Sequence, residues 1–277
     1  MKKNERAAAI VRTIVVSLIA VLFVVPLVWM VLSSLKTAPE VFARPFHWLP
    51  ARVQWQNYAT VWMNEEASML RAFANTLYIA LFSIVGQMLI SSLAAYSFAK
   101  INFKGKQVVF MLFLSSMMVP SQLTIIPRFM LFKTIGLYNN LWAIILPAFF
   151  GATSIFMLRQ FYMGLPNDLI EAAKIDGAGH LRIFLRIMLP LTKAALMSLI
   201  ILAFISSWNE YMAPLIFLVK KELYTVSQNI QWYMLDEFKE HNLTMAAATS
   251  AIVPVVILFI VGQKYFVEGI ATSGVKG

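Results

Sequence analysis

Several uninterrupted stretches of about 20 apolar residues run through this chain and constrain its fold more than any other feature. In the bilayer core only helices and closed barrels satisfy every backbone N–H and C=O group, and about 20 residues are needed for a helix to cross. A soluble domain is about one quarter charged, whereas 13% of these 277 residues are charged and 60% are hydrophobic. The sequence therefore predicts an all-α, polytopic membrane protein.

The apolar stretches predict six transmembrane helices, at 13–35, 75–99, 107–126, 139–162, 192–218 and 245–263. The N-terminal MKKNER followed by an apolar run resembles a signal peptide, but the run is too long and no A-x-A cleavage site closes it. We therefore expect a retained first helix. No low-complexity linker or long internal repeat is present, which favours one transmembrane domain over residues 1–277.

The basic residues indicate how the chain is oriented. Six spans place both termini on one side, and the segments on that side hold 14 of the 23 lysines and arginines. Basic residues are enriched in cytoplasmic loops, so we expect both termini, and the loop at 166–190, to be cytoplasmic. This distribution explains the net charge of +10 without a nucleic-acid partner.

That loop interrupts the apolar pattern with the sequence EAAKIDGAGHLRIFLRIMLP, residues 171–190. Asp168 and Glu171 are spaced as in a capping box, which predicts a short helix to about Ile175. Gly177 is suited to end this helix, because glycine accepts the left-handed conformation common at helix C-termini. Ala172 and Ala173 give the helix a smooth face, on which another protein's backbone can approach closely.

A second helix is predicted to begin near Gly179 and to end at Pro190, which interrupts the helical pattern. Its apolar residues form one predicted stripe: Leu181, Phe184, Ile187 and Met188. Two interpretations follow from these residues alone. The pair of helices is either an ordinary amphipathic element at the membrane surface or a docking surface for a cytoplasmic partner.

The loop also resembles a known motif. Glu171-Ala172-Ala173, Asp176-Gly177-Ala178, Phe184, Ile187 and Pro190 match the EAA motif, E-A-A-x-x-D-G-A, five residues, F-x-x-I-x-x-P, of the permease subunits of ATP-binding-cassette importers. We call residues 166–190 the EAA loop. The resemblance implies that it is a coupling helix that sits in a cleft of an ATPase subunit. The residues implied in ATPase coupling are Glu171, Ala172, Ala173, Asp176, Gly177 and Ala178, with Glu171 making a polar contact.

Further segments resemble the carbohydrate-uptake, MalG-like branch of these permeases. They are Ser33-Ser34-Leu35-Lys36 with Glu40, Asn75-Thr76, Ala94 to Ala99, Met118-Val119-Pro120, Ile126-Pro127, Gly136-Leu137, Trp208-Asn209-Glu210-Tyr211 with Pro214, and Gln263 to Val267 through Gly274 to Gly277. The resemblance covers nearly the whole chain. It implies a MetI/MalG-like permease core of six transmembrane helices that imports a carbohydrate. A di- or oligosaccharide is the favoured substrate, and a glycerol-phosphate-like compound is the open alternative.

The resemblance also implies partners. They are a second, MalF-like permease subunit, a dimer of ATP-binding-cassette ATPases, an extracytoplasmic sugar-binding protein that meets the outer loop 219–243, and the lipid of a bacterial or archaeal cell membrane. No phosphate-binding G-x-x-x-x-G-K-[ST] motif occurs, so ATP and Mg²⁺ are expected on the partner ATPases and no cofactor on this chain. The tail residues Gly274, Lys276 and Gly277 are either an ATPase contact or a frayed terminus.

Glu210 stands within the fifth predicted span, where a carboxylate is costly and is by default a functional candidate. With Trp208 and Asn209 it lines a pathway or gate, or else it is a structural carboxylate. An ion-gradient-driven carrier that couples through Glu210 is the alternative to an ATP-driven importer, but it leaves the EAA loop unexplained. A membrane-embedded enzyme needs paired acids or histidines at membrane depth, which the sequence lacks. No cysteine is present and the three histidines have no metal-ligand spacing, so no metal site is expected.

Overall fold

The computed structural model describes the backbone of residues 2–235 and 240–274. Every regular segment among those residues is helical, which confirms the all-α prediction. The α-helices are α1 (Lys2–Ser34), α2 (Ala38–Val41), α3 (Gln56–Met63), α4 (Met69–Lys100), α5 (Lys106–Ser115), α6 (Ser121–Thr134), α7 (Trp142–Ala148), α8 (Ala152–Met163), α9 (Asp168–Ile175), α10 (His180–Ile183), α11 (Leu189–Leu191), α12 (Lys193–Trp208), α13 (Met212–Phe217), α14 (Val226–Tyr233) and α15 (His241–Gly274). Short 3-10 turns lie at Ser116–Met118 and Lys221–Leu223, and a π-helical turn lies at Phe184–Met188.

Several helices in the described chain are long and apolar enough to cross a membrane. Four do so singly: Ala8–Ser34, Met69–Lys100, Trp142–Met163 and His241–Gln263. Two helix pairs qualify together but are bent, by 96° between Lys106–Met118 and Ser121–Thr134 and by 76° between His180–Leu191 and Lys193–Trp208. The described residues therefore offer four crossings, or six if each bent pair forms one.

Two of the stretches predicted as single helices, 107–126 and 192–218, are interrupted. The first breaks at Val119, which is extended (φ −84°, ψ 112°) because the ring of the following Pro120 disfavours helical geometry. The second breaks between Trp208 and Met212, and Pro214 has no N–H to continue the hydrogen-bond ladder of α12.

Pro190, by contrast, does not end its helix as predicted. It lies inside α11, and the helix bends only at Thr192. The π-helical turn just before it changes the local hydrogen-bond register, which is one way in which a helix accommodates a proline.

Residues 1–70 and 229–253 form one compact unit. None of the apolar part of α1 is buried within the chain, so its surface is suited to lipid. The polar centre of the unit is Asn57, whose Nδ2 donates to the carbonyls of Ser34 and Lys36 at 2.8 Å each, and whose Oδ1 accepts from Asn242 at 3.0 Å. The buried Lys36 donates from Nζ to the carbonyl of His47.

The described residues of 71–228 and 254–274 form the second unit. Its larger core joins α4, α8, α9 and the helix at 180–191. Its buried members include Tyr96, Leu158, Tyr162, Ile170, Ile183 and Met188. A smaller cluster packs α4 against α6, α7 and α13, around Ile79, Phe132, Ile145 and Phe217. The EAA loop is thus part of the main core of this unit.

Candidate functional site

The first helix of the EAA loop, α9, ends as the sequence predicts. Gly177 has a φ of +75°, in the left-handed region that favours glycine. Its N–H donates to the carbonyl of Lys174 at 3.0 Å, and the N–H of Ala178 donates to the carbonyl of Ala173 at 2.9 Å. These two bonds form a Schellman motif, which satisfies the last carbonyls of the helix and fixes a sharp corner after it.

The predicted capping box at the start of α9 is wrong. Asp168 is already the first helical residue, Asn167 occupies the N-cap, and no side chain makes the capping hydrogen bond. The Asn167 side-chain oxygen, which could have capped the helix, instead accepts a bond of 2.7 Å from Lys100 Nζ. Asp168 and Glu171 still place two negative charges in the first turn, where the helix dipole favours them.

The residues implied in coupling fall into two sets. Glu171, Ala172, Asp176 and Gly177 are exposed, and Ala178 is half-buried. Ala173 is buried and packs into the chain's own core beside Ile170, so in this structure it helps to seat α9 rather than to present a surface. Partner contacts by any of these residues remain a prediction.

Ile175 was missed by motif-based reasoning because the EAA pattern leaves its position unspecified. Its side chain is 87% exposed at the end of α9, next to the acidic Asp176. A large apolar side chain held this far into solvent loses hydrophobic stabilisation that burial would give, of about 1.5–3 kcal/mol. The sequence of the loop could have identified Ile175 as a candidate contact residue, since it is the only large aliphatic residue between Ile170 and Leu181.

The C-terminal end of α4 holds the EAA loop at two points. Lys100 Nζ donates to the carbonyl of Leu165 and to Oδ1 of Asn167, both at 2.7 Å, just before α9. One turn earlier, the Tyr96 hydroxyl and His180 Nδ1 are hydrogen-bonded at 3.0 Å, just after the Gly177 corner. Tyr96 and Lys100 are four residues apart and share one face of α4, so this face binds the chain on both sides of α9.

The second helix of the loop differs from the predicted stripe. Ile183, Phe184 and Met188 are buried, Ile187 is half-buried, and Leu181 is 65% exposed. The π-helical turn at Phe184–Met188 is the reason, because i→i+5 hydrogen bonding places residues five apart, such as Ile183 and Met188, on one side.

A cavity of about 430 Å³ lies within the second unit, between α4, α6, α7, α12 and α13. Its polar wall includes Ser83, Gln87, Gln122, Arg128, Ser206 and Glu210. Such a volume is within the range of small-molecule sites, which typically combine an apolar lining with a few polar groups.

The three residues predicted for a pathway or gate have separate places. Glu210 lines the cavity, and its Oε1 accepts the N–H of Ala213 at 2.9 Å, so it also caps the start of α13. Trp208 is buried, stacked on Phe204 at 5.4 Å. Asn209 donates from Nδ2 to the carbonyl of Ile205 at 2.8 Å, at the end of α12. Only Glu210 of the three belongs to the cavity wall.

Three further predictions concern a metal site, the C-terminal tail and the outer loop. Among the residues that the structure describes, no group of three or more acids and histidines is placed to hold a metal ion. Gly274 is the last described residue of α15, and Lys276 and Gly277 lie outside the described residues. In the outer loop 219–243, residues 236–239 also lie outside them.

The chain matches a family model and many curated proteins. Residues 87–272 match the model for the inner membrane component of binding-protein-dependent transport systems. The chain is 33% identical over 267 residues to the arabinooligosaccharides transport system permease protein AraQ of Bacillus subtilis, covering 96% of this chain and 95% of that one. It is 30% identical over 266 residues to the sn-glycerol-3-phosphate transport system permease protein UgpE of Pectobacterium atrosepticum, covering 94% of each.

Another relative is the diacetylchitobiose uptake system permease protein NgcG of Streptomyces coelicolor, 29% identical over 265 residues, with 94% of this chain and 86% of that one covered. Among solved structures, one chain from a bacterial ABC transporter involved in the import of the acidic polysaccharide alginate has the same fold. Its TM-score is 0.84 at 24% identity, with 95% of this chain and 98% of that chain covered. The chain belongs to the family of inner membrane components of binding-protein-dependent transport systems, and it is a permease subunit of an ATP-binding-cassette importer.

Proposed function

We propose that this chain forms one half of the translocation pathway of an ATP-driven importer for di- or oligosaccharides. The observation that carries the proposal is α9, a short exposed helix that is fixed to α4 on both flanks and ends in a sharp corner. An exposed helix held in this way is suited to transmit force, because a push on α9 moves α4 with it instead of bending the loop between them.

The substrate class rests on the relatives. Those in Bacillus subtilis and Streptomyces coelicolor are named for the transport of arabinooligosaccharides, of melibiose, raffinose and stachyose, and of diacetylchitobiose. A glycerol phosphate permease is also among them. Most of these substrates are neutral and rich in hydroxyl groups, and we take that chemistry as the proposal for this chain. The relatives give no support to the alternative of an ion-gradient-driven carrier.

The proposed assembly has four kinds of partner. A MalF-like permease completes the pathway, a dimer of ATPases binds ATP and Mg²⁺ and hydrolyses ATP, and a sugar-binding protein meets the outer loop 219–243. Membrane lipid covers the exposed apolar surface of α1. This chain binds no nucleic acid and performs no catalysis, and both its termini face the cytoplasm.

The structure offers a route from the EAA loop to the cavity. α4 carries Tyr96 and Lys100 at one end, and it carries Ser83 and Gln87 in the cavity wall. Ser83 and Lys100, 17 positions apart, are separated by about 25 Å of continuous helix. A displacement of α9 by a closing ATPase dimer is therefore passed to the cavity through one rigid element, while the core around Ile170 and Ala173 moves α8 with it.

The test uses the complete complex of both permeases and the ATPases in liposomes with the binding protein. Arabinotriose, melibiose, raffinose, diacetylchitobiose and sn-glycerol 3-phosphate are offered in turn, and uptake and ATP hydrolysis are measured together. We expect ATP-dependent uptake of one or more of the sugars that persists when a protonophore collapses the proton gradient. Uptake that needs the gradient and no ATPase contradicts the proposal.

Docking through α9 is tested with a matched pair of variants. Ile175→Ser removes an exposed apolar side chain from α9, and Leu181→Ser removes another exposed apolar side chain from the next helix. We expect the first to reduce co-purification of the ATPase and sugar uptake about tenfold, and the second to leave both near the wild-type level. Equal behaviour of the two variants removes α9 as the docking element.

A further inference from the structure

The cavity of the second unit contains a buried hydroxyl without a partner. Ser83 is 3% exposed, lies in the cavity wall, and its Oγ makes no hydrogen bond within the described chain. Most serines in membrane helices satisfy themselves by donating to a carbonyl of the preceding turn, as Ser97 does to Leu93 at 3.0 Å. Buried polar groups are nearly always paired. Ser83 Oγ has almost no accessible surface, so it pairs with a ligand in the cavity once its side chain rotates toward the open space.

Arg128 provides a second polar group that the fold leaves unsatisfied. Its Nε is buried and has no hydrogen-bond partner in the described chain, and its guanidinium lies over the ring of Phe217 at 5.0 Å. Arginine carries five N–H donors, and since Nε is enclosed, the donors that the cavity wall retains are those of the two terminal nitrogens.

Glu210 balances the charge of Arg128. Both line the same cavity, and their charges attract each other without an ion pair within 4 Å. One carboxylate oxygen accepts the N–H of Ala213, which leaves the other available to the cavity. A wall with one positive and one negative group carries no net charge, so it offers an ion of either sign no net electrostatic attraction.

Gln87 and Gln122 add amide groups to the same wall. Gln87 Nε2 donates to the hydroxyl of Ser154 at 3.0 Å, which fixes its orientation and leaves its carbonyl oxygen as an acceptor. Gly151 makes room for this amide, since a Cβ at residue 151 would fall 2.2 Å from Gln87 Nε2.

We propose that this cavity is a binding subsite for one neutral sugar ring of the transported carbohydrate, held by this chain itself. Sugar hydroxyls both donate and accept, so the several hydroxyls of one ring can accept from Arg128 and Ser83 and donate to Glu210 and Gln87. Phosphates and carboxylates only accept, and they leave the Glu210 oxygen unpaired. The volume of about 430 Å³ is within the range for a small ligand. This inference rests on the proposed import of neutral sugars.

The test measures how many sugar molecules are taken up for each ATP hydrolysed. The complete complex in liposomes is supplied with saturating binding protein loaded with melibiose or raffinose, or with sn-glycerol 3-phosphate. The variants are Arg128→Gln, Gln122→Leu and Gly151→Ala. In the last, the extra methyl group displaces only the flexible end of Gln87, and the backbone at Gly151 (φ −92°, ψ 95°) accepts alanine. The matched control is Lys133→Gln, an exposed position of the same helix as Arg128 that lies outside the cavity wall.

We expect Arg128→Gln to lower the uptake of melibiose or raffinose per ATP about tenfold, the loss typical of a deleted hydrogen bond to a charged group. We expect Gln122→Leu and Gly151→Ala, which affect neutral amides, to lower it several-fold. The control keeps the wild-type ratio. A defect in folding or assembly lowers uptake and ATP hydrolysis together and leaves their ratio unchanged, so that result in all three variants overturns the subsite.

Two other results also decide the matter. If the wild-type complex imports sn-glycerol 3-phosphate and neither neutral sugar, the neutral subsite is wrong while import itself stands. If the wild-type complex imports none of the probes, the proposed function fails, and the subsite fails with it.

Discussion

Lys100, the last residue of α4, donates a hydrogen bond of 2.7 Å from Nζ to Oδ1 of Asn167, the residue just before α9. The same ammonium group donates to the carbonyl of Leu165 at 2.7 Å. These two bonds attach the exposed EAA loop to a helix that is long enough to cross a membrane. Mutation of Lys100 can therefore weaken this attachment without changing the exposed surface of α9.

Lys100→Met keeps the length of the side chain and removes both bonds. Hydrogen bonds to charged groups contribute roughly 1.5–3 kcal/mol when buried, and less for the solvent-exposed bond to Asn167. We expect faster hydrogen exchange in residues 165–180 and several-fold less sugar uptake per ATP. Lys104→Met is the control, because Lys104 is exposed on the next loop. Unchanged exchange in the Lys100 variant contradicts the attachment.

Gly177→Ala tests the corner after α9. The added methyl group meets no atom within 4 Å, so its only effect is backbone strain at a φ of +75°. The left-handed conformation costs a non-glycine residue about 1–2 kcal/mol. We expect weaker association of the ATPase subunits, measured by co-purification, and lower uptake. Gly179→Ala adds the same methyl group in open space at a φ of −73° and is expected to behave as wild type.

Glu171→Lys reverses one exposed charge in the first turn of α9. If Glu171 makes a polar contact to the ATPase, the variant reduces uptake and ATPase co-purification at least tenfold while the permease still inserts. Asp168→Lys is the matched control, since it reverses a charge in the same turn and loses the same 0.3–1 kcal/mol from the helix dipole. Equal losses in both variants point to the helix dipole rather than to a contact.

The hydrogen bonds to Glu40 predict that the stability of the first unit depends on pH. Hydrogen bonds from the Thr37 backbone N–H, the Thr37 hydroxyl and the Ala51 backbone N–H hold the pKa of this carboxyl below its ordinary value of 4.5. Because the folded pKa is lowered, the stabilisation is present above pH 4.5 and is lost as the pH falls through the folded pKa.

The corresponding measurement is the melting temperature of the purified complex between pH 3 and pH 7. We expect Glu40→Gln to lower it at neutral pH and to flatten its decline below pH 4.5. Glu65→Gln, at an exposed acid in the same unit, serves as the control. Parallel pH curves for wild type and Glu40→Gln count against the role of these hydrogen bonds.

Sequence reasoning succeeded where the cause is local. Gly177 could be placed at the end of α9 because a glycine followed a short helical pattern, and the corner depends on residues within a few positions of it. The apolar stretches predicted an all-helical membrane protein for the same reason, since backbone satisfaction in lipid depends on segment composition.

It failed where distant residues decide the outcome. The capping box at Asp168 is wrong because α9 already includes Asp168, and Asn167, at the N-cap, accepts from Lys100, far along the chain, instead of capping the helix. Ala172 and Ala173 cannot be told apart in sequence, yet one is exposed and the other is buried against α8 and α4. Arg128 was not predicted as a cavity residue, because only the bend between α5 and α6 brings it beside Glu210.

The continuity of α4 has a consequence for recombining such permeases. Suppose that a chimera of two permeases has its crossover within residues 83–100. Its α4 then takes the cavity residues from one parent and the residues that hold the EAA loop from the other, although both sets of contacts fix the orientation of the same helix. Chimeras that take the whole of α4 and the EAA loop from one parent keep the cavity residues and the loop-holding residues in their native relative orientation. We therefore expect the helix together with its loop to be the unit that relatives can exchange, because substitution of the loop alone pairs Tyr96 and Lys100 with loop residues from another parent.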